Sequence, residues 1–393
     1  MRALYVNQTA QVSGAEHSLL TLLRGLDGAV EPLVACPRGE LATLLAELGI
    51  EPEPIAGTRA SFRLHPRHTS RGLIEIGRST LQVRRIVDRL APDVVHANST
   101  RASLLALLKR KRSGPPVIAH IRDQAPDGRF PRAVLGTIAR RADAVVAASQ
   151  FVARQFDGLP LRGPVRVVYD PVEIERFDRA RADGRAVRRE LGISEDAIVL
   201  SVVGQLAPLK GQDDAIRVLA SLAAAGREVV LILVGSVKFA GSGTRLDNVG
   251  FGRDLHTLVD DLDVSERVHF LGERSDVPDV LAATDVMLMP FWYDAFGRVA
   301  VEAMAMGVPV VASEVGGPAE IVRADVDGIL LPPRTPERWS RALEQLLADT
   351  ALRERLGRNA RLRARDFSVD AHIAQILNLY RELDPAPAPR PSS

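Results

Sequence analysis

Short runs that are apolar at nearly every position alternate along this chain with longer runs whose apolar residues recur every three or four positions. ALYVN, PLVAC, DVVHA, VIAHI, AVVAAS and VRVVY are of the first kind; GAEHSLLTLLRGL, LATLLAELG and TRASLLALLKRKR are of the second. A strand that is apolar on both faces needs cover on both faces, which points to parallel sheets flanked by helices. Recurrence at three and four gives each helix one stripe to lay on such a sheet. The series then restarts, with AIVLSVVG, VVLILVG, RVHFLG, VMLMP, PVVAS and GILLP separated by helical runs such as DDAIRVLASLAAAG and RVAVEAMAMG. The expectation is an α/β chain of two doubly wound domains, and 393 residues are enough for two separate cores. The join is expected near YDPVEIERF, residues 169–177. PAPAPRPSS at the end lacks a large apolar anchor and is expected to be a disordered tail.

Several function classes drop out. No run approaches the ~20 apolar residues of a membrane span, and MRALYVNQTA lacks the charged head and apolar block of a secretory signal. Cys36 is the single cysteine, so an internal disulfide and a thiolate metal cluster are excluded. A cytoplasmic enzyme is the expectation. Residues 1–180 hold 26 Lys+Arg against 18 Asp+Glu, and the basic residues cluster at Arg59–Arg89 and Lys109–Arg112. Such a face suits an acidic substrate or an anionic membrane surface, and equally a solvated arginine-rich exterior. Nucleic acid is not expected, because the few aromatic residues do not interleave with these charges.

Ligands of doubly wound sheets bind beyond the carboxyl ends of the strands, and two such domains facing each other would form a cleft. In PFWYDAFGRVAVEAMAMGVPVVAS a strand ends, Asp294 follows in the loop, and a helix starts around Phe296–Val299 with Glu302 about one turn inside it. A helix N-terminus suits a phosphate, and a carboxylate accepts two hydrogen bonds from a vicinal diol such as that of ribose. A capping Asp294 and a solvated Glu302 would account for the same residues. In VVGQLAPLKG a loop delivers Lys210 just before a helix, where its point charge suits a diphosphate or simply meets solvent. His96 and His120 each close a strand, and a histidine there is either a substrate contact or a core group satisfied by backbone. Gly14, Gly316 and Gly317 allow close approach of a ligand, or serve turns that need positive φ.

Together these segments resemble the retaining glycosyltransferases of family 4, which have the GT-B fold of two Rossmann-like domains facing a cleft. DAFGRVAVEAMAMGVPVVASEVGGPAEIV is similar to the family's block of two acids with seven residues between them, and GQLAPLKG to its Gly-Arg…Lys-Gly loop. VSGAEHSLLTLL, VVHANS, VIAHIRD, ADAVVAASQFVARQF and VVYDPVEIERF fall in the expected order before them. The resemblance implies residues 1–170 as an acceptor-binding domain, 171–368 as a nucleotide-sugar donor domain, and a helix 369–383 crossing back to the first, with 384–393 as the tail. It implies that Glu302 binds the ribose hydroxyls and that Asp294 contacts hydroxyls of the donor sugar. Phe296 and Gly297 offer backbone amides, and Lys210 neutralises the diphosphate with Gln205 beside it. Gly14 gives its loop access to the diphosphate, His120 is the active-site histidine, and Glu320 borders the donor.

The implied reaction moves a hexose or N-acetylhexosamine from a UDP-linked donor to an acceptor hydroxyl on a small molecule, saccharide or lipid-linked acceptor. It proceeds on one face of the sugar, with no cofactor and no metal. Asp261-Leu-Asp263 and Asp325-Val-Asp327 resemble a metal-binding Asp-x-Asp but are expected to be surface acids. The basic first half leaves room for peripheral contact with the inner face of a membrane. Two departures stand out: Asp294 replaces the first glutamate, and Gln205 replaces the usual arginine, so that a cation must come from elsewhere, Arg298 or Arg122 being available. A catalytically weak or inactive sugar-nucleotide-binding relative is the alternative. A nicotinamide-dependent dehydrogenase would need G-x-G-x-x-G after its first strand, and neither Gly241-Ser-Gly243 nor Gly250-Phe-Gly252 supplies it.

Overall fold

The computed structural model describes residues 1–58, 66–108, 110–111, 113–238 and 246–383, with backbone alone for 66–71 and 73. The expected tail, Gly241-Ser-Gly243, Arg59, Arg63, Lys109 and Arg112 lie outside the described residues. The chain divides into two compact units, one of Met1–Pro171 with the segment from Val369 onward, the other of Val172–Ser368.

In the first unit the strands are β1 (Arg2–Val6), β2 (Glu31–Cys36), β3 (Glu53–Pro54), β4 (Val94–Ala97), β5 (Val117–Ile121), β6 (Ala144–Ala147) and β7 (Val165–Val167). They form one parallel sheet in the order β3-β2-β1-β4-β5-β6-β7. β1, β4, β5 and β6 are buried almost throughout, as their unbroken apolar sequences require. β3 carries no apolar run and has no sequence signature; it is a two-residue edge paired at Ala35–Glu53 and Cys36–Pro54.

The second unit holds β8 (Ile198–Val203), β9 (Val229–Val234), β10 (Val268–Gly272), β11 (Val286–Met289), β12 (Val310–Ser313) and β13 (Gly328–Leu331). These are parallel in the order β10-β9-β8-β11-β12-β13. In each sheet the strand order reverses once, between β1 and β4 and between β8 and β11. Loops on either side of a reversal diverge to opposite faces, and a doubly wound sheet opens its binding crevice there. Among the described residues no helix is long and apolar enough to cross a membrane.

The helix Val369–Leu383 belongs to the first unit. Ile373, Ile376, Leu379 and Tyr380 join Tyr5, Leu19, Leu22 and Val146 in one apolar cluster. Gly25 admits it: a Cβ there would lie 2.4 Å from Ile373 Cδ1. Ile376 is fully buried, while Gln375 beside it is exposed. Removing buried methylenes loses transfer free energy and leaves a cavity. Ile376→Ala is therefore expected to lower unfolding free energy by about 2–4 kcal/mol, and Gln375→Ala by under about 0.5 kcal/mol. Urea titrations followed by circular dichroism read both; equal losses would remove the helix from that core.

Candidate active site

In the second unit, the loop leaving β8 runs from Gly204 to Gly211 and includes a short 3-10 turn, Pro208–Lys210. Gly211 has φ 61°, and a Cβ there would lie 2.1 Å from the Pro290 carbonyl oxygen. Only glycine fits so close to the loop leaving β11. The Trp292 amide donates to the Leu209 carbonyl at 2.9 Å, tying the same two loops a second time. This seating brings Lys210 to Asp294: the ammonium donates to Asp294 Oδ2, with both side chains about four-fifths buried. The ammonium also stands 4.0 Å from the Phe291 ring centroid, a cation–π contact.

The acidic loop is held from its other side by the turn after β12. The Gly317 amide donates to the Asp294 carbonyl at 2.9 Å. Cβ atoms at Gly316 and Gly317 would lie 2.5 Å from Asp294 O and 2.3 Å from Phe296 Cα, and Gly316 has φ 80°. This pair thus supplies close loop packing. Asp294 Oδ1 accepts from the Phe296 amide at 3.2 Å, but the helix begins only at Arg298, after Gly297 at φ 96°. Asp294 is accordingly not the helix cap that its place in the sequence allowed. Phe296 is buried, its ring centroid 5.8 Å from that of Phe367.

Glu302 is not a solvated surface acid either. Its side chain is 14% exposed, with Oε1 4.0 Å from Arg298 Nη2. Burial pushes its carboxyl above the ordinary range; the charges of Arg298 and Arg176 pull it down, and Glu173 pushes it up. The Gln205 carbonyl accepts from Gln212 Nε2 at 2.9 Å, fixing the β8 loop to the start of its helix. Glu320 lies in the short helix Pro318–Ile321, where its carbonyl accepts from Arg363 Nη2 at 3.0 Å. Of the acids expected at the surface, Asp261, Asp263 and Asp325 are exposed. Asp327 is not: it is fully buried and accepts from the amide of Arg323 at 2.6 Å and its Nε at 2.5 Å.

In the first unit, His96 and His120 project from β4 and β5, both with 1% exposure or less. His96 Nε2 and His120 Nδ1 are 3.0 Å apart, and His96 Nδ1 is 2.7 Å from the Tyr380 hydroxyl. Burial and the Arg122 charge hold both imidazoles well below the ordinary histidine range, so both are neutral. Arg122 pairs with Asp170 and donates from Nε to Asn98 Oδ1 at 3.1 Å, so its charge is already engaged. Asn98 Nδ2 donates to Asn7 Oδ1 at 3.0 Å, and Asn7 Nδ2 to Glu16 Oε1 at 3.2 Å. Glu16 Oε2 in turn accepts from the amide and the hydroxyl of Ser13, at 3.1 and 2.6 Å. The line of contacts therefore reaches the loop before Gly14. Gly14 is the first residue of the helix Gly14–Arg24, and a Cβ there would meet nothing within 4 Å. Neither turn geometry nor packing inside the unit requires glycine at that position. Sequence reasoning missed Asp170, Tyr380, Asn7, Asn98, Phe291 and Arg176; only the strand-end position of the two asparagines could have marked them.

Comparison with known proteins gives concordant results. The profile described as Glycosyltransferase Family 4 matches residues 12–176, and that described as Glycosyl transferases group 1 matches residues 183–363. The D-inositol 3-phosphate glycosyltransferase of Salinispora arenicola is 33% identical over 327 residues, covering 76% of this chain and 71% of that one. The protein of the same name from Actinosynnema mirum is 33% identical, covering 73% and 72%. Among solved structures, Anabaena Alr3699/HepE in complex with UDP-glucose superposes with a TM-score of 0.83 at 26% identity, covering 97% of this chain and all of that one. A glycosyltransferase from Rickettsia africae, 18% identical, shares the fold with a TM-score of 0.81 over 98% and 99%.

The raised carboxyl of Glu302 has a stability consequence. A folded-state value above the unfolded one means that the folded chain binds its proton more readily, so stability falls as pH rises through that window. Glu302→Gln removes this dependence. Its Tm is expected to exceed that of the wild type at pH 8 and to converge with it near pH 4, read by calorimetry at both; a lower Tm at pH 8 would mean that the carboxylate stabilises the fold.

Proposed function

The chain belongs to the family 4 glycosyltransferases of the GT-B fold, and from that membership we propose that it moves a hexose or N-acetylhexosamine from a UDP-linked donor to an acceptor hydroxyl with retention of anomeric configuration. The observation that carries this reading lies at the reversal of the second sheet, where Lys210 and Asp294 meet on loops locked backbone to backbone and Glu302 sits in the helix that follows. Uridine is supported by the UDP and UDP-glucose complexes of the Anabaena protein. The two inositol phosphate glycosyltransferases and the arginine surplus of residues 1–180 favour an anionic acceptor, such as a phosphorylated polyol.

Glu302 accepts from the ribose hydroxyls. The amides of Phe296 and Gly297, the first turn at Arg298, and Lys210 with the Gln205 backbone receive the diphosphate. Asp294 orients Lys210 and accepts from the donor sugar, while Glu320 borders the sugar. On the first unit, Gly14 leaves space for a diphosphate or acceptor, and His120 offers a hydrogen bond to a substrate hydroxyl.

During transfer the bond from the anomeric carbon to the diphosphate oxygen breaks, and the acceptor oxygen bonds to that carbon on the same face. The acceptor proton passes to the departing phosphate. Negative charge grows on the leaving group, where Lys210 and the helix amides are already oriented to stabilise it. Asp294 is engaged by Lys210 and forms no covalent intermediate, unlike the nucleophilic carboxylate of a retaining glycosidase.

The test is turnover with a panel of UDP-, GDP- and ADP-sugars against inositol phosphates and saccharides. A UDP-sugar is expected to raise Tm by linkage and to yield UDP with a product of unchanged anomeric configuration by proton NMR. Lys210→Ala is expected to lower kcat about 10²–10³-fold, about 3–4 kcal/mol; Glu302→Ala is expected mainly to weaken donor binding. An inverted product, or full activity in Lys210→Ala, overturns the mechanism. Saturable donor binding without transfer would favour the second reading, a binding relative in which Gln205 has replaced a needed cation.

A further inference from the structure

Four buried side chains of the first unit form one continuous hydrogen-bonded line: Tyr5 on β1, Tyr380 on the helix Val369–Leu383, His96 on β4 and His120 on β5. The hydroxyls of Tyr5 and Tyr380 are 3.0 Å apart, Tyr380 lies 2.7 Å from His96 Nδ1, and His96 Nε2 lies 3.0 Å from His120 Nδ1. None of the four exceeds 1% exposure. Tyr5 and His96 are register partners on adjacent strands, with rings stacked at 5.3 Å.

Every group in the line can donate or accept, so two proton orders satisfy it. In one, hydrogens point from His120 toward Tyr5: His120 Nδ1–H donates to His96, His96 Nδ1–H to Tyr380, and Tyr380 to Tyr5. His120 Nε2 then carries a bare lone pair. In the other, Tyr5 donates to Tyr380, Tyr380 to His96 Nδ1, and His96 Nε2–H to His120 Nδ1. His120 then carries its hydrogen on Nε2.

Arg122 selects between them. Its Nη2 lies 3.3 Å from His120 Nδ1. A guanidinium has only donors, so it favours a lone pair on that nitrogen and repels an N–H. Asp170 and Asn98 hold Arg122 in place. The second order therefore prevails. His120 Nε2 is buried and has no hydrogen-bond partner among the described residues. His372 stacks on the ring at 6.1 Å and 18°, its own Nδ1 donating to the Tyr169 carbonyl at 2.7 Å.

We propose that Arg122 and His96 are positioning residues for glycosyl transfer: they fix His120 as the Nε2–H tautomer, so that it acts as an oriented donor to a substrate hydroxyl oxygen and not as a base. The inference deepens the role given to His120 above and rests on it.

Arg122→Gln removes the cation and offers Nδ1 of His120 an amide oxygen as well as an N–H, so it frees the choice of order. Tyr5→Phe deletes the hydroxyl at the far end of the line and leaves Arg122 in place. Long-range nitrogen–proton NMR of the full chain, with ring-labelled histidine, is expected to show Nε2–H at His120 in the wild type and in Tyr5→Phe. Arg122→Gln is expected to show a mixture of tautomers, with kcat about tenfold lower, and Tyr5→Phe a kcat near that of the wild type. An Nδ1–H signal for His120 in the wild type overturns the proposal without need of any variant. So does an unchanged tautomer in Arg122→Gln, or an equal loss of turnover in both variants. The spectra require no turnover, so a chain that shows Nε2–H but transfers no sugar fails the functional reading alone.

Discussion

The loops that leave β8, β11 and β12 are nested backbone against backbone, and this contact determines what the second unit can hold. Gly211 presses on Pro290, Trp292 is tied to Leu209, and Gly316–Gly317 lie beneath Asp294 and Phe296. A single Cβ at Gly211 or Gly316 would force two of these loops apart. Because the backbone is fixed, Lys210 and Asp294 meet with their positions set by folding rather than by a ligand. Groups oriented in advance need no reorganisation when charge develops beside them, which is the condition under which electrostatic stabilisation is strongest.

The first unit solves the corresponding problem with side chains. At the carboxyl ends of β1, β4 and β5 the chain buries Asn7, His96, Asn98, His120 and Arg122 together with Asp170 and Glu16. Breaking one partner of a buried ion pair leaves an uncompensated charge at a cost of about 3–5 kcal/mol, so Arg122 and Asp170 hold each other strictly. From that pair hydrogen bonds run one way through Asn98 and Asn7 to Glu16 and Ser13, and the other way to His120. Buried polar networks are stable when satisfied and costly when not. The polar atom at the end of this one, His120 Nε2, lacks a partner within the described residues.

The sheets were legible from sequence because parallel strands buried on both faces are written as continuous apolar runs. β3 was not, since an edge of Glu53 and Pro54 is set by its neighbour's register and by nothing in its own composition. The second unit's site was legible where residue type and position coincide, as with Lys210 at a loop end and Glu302 inside a helix. It was illegible where long-range packing decides. Nothing in the sequence pairs Lys210 with Asp294 across 84 positions, places Arg176 near Glu302, or reaches from Tyr380 to Tyr5 over 375. Asp327 shows the same limit from the other direction: an acid in an Asp-x-Asp pattern reads as solvated, yet the Arg323 amide and guanidinium draw it fully inside.

The shorter acid at position 294 acquires a meaning in this geometry. With one methylene fewer than glutamate, its carboxylate stays close to its own backbone, where one oxygen takes the Phe296 amide and the other takes Lys210. The same residue thus organises the first turn of the acidic loop and neutralises the cation that a diphosphate would need. A ligand entering there competes with Asp294 for Lys210, and only a group more anionic than a single carboxylate has the advantage. Gln205, in the loop that carries Lys210, adds no charge of its own, so a diphosphate placed here would meet Lys210 and the backbone amides that the glycine-packed loops hold still.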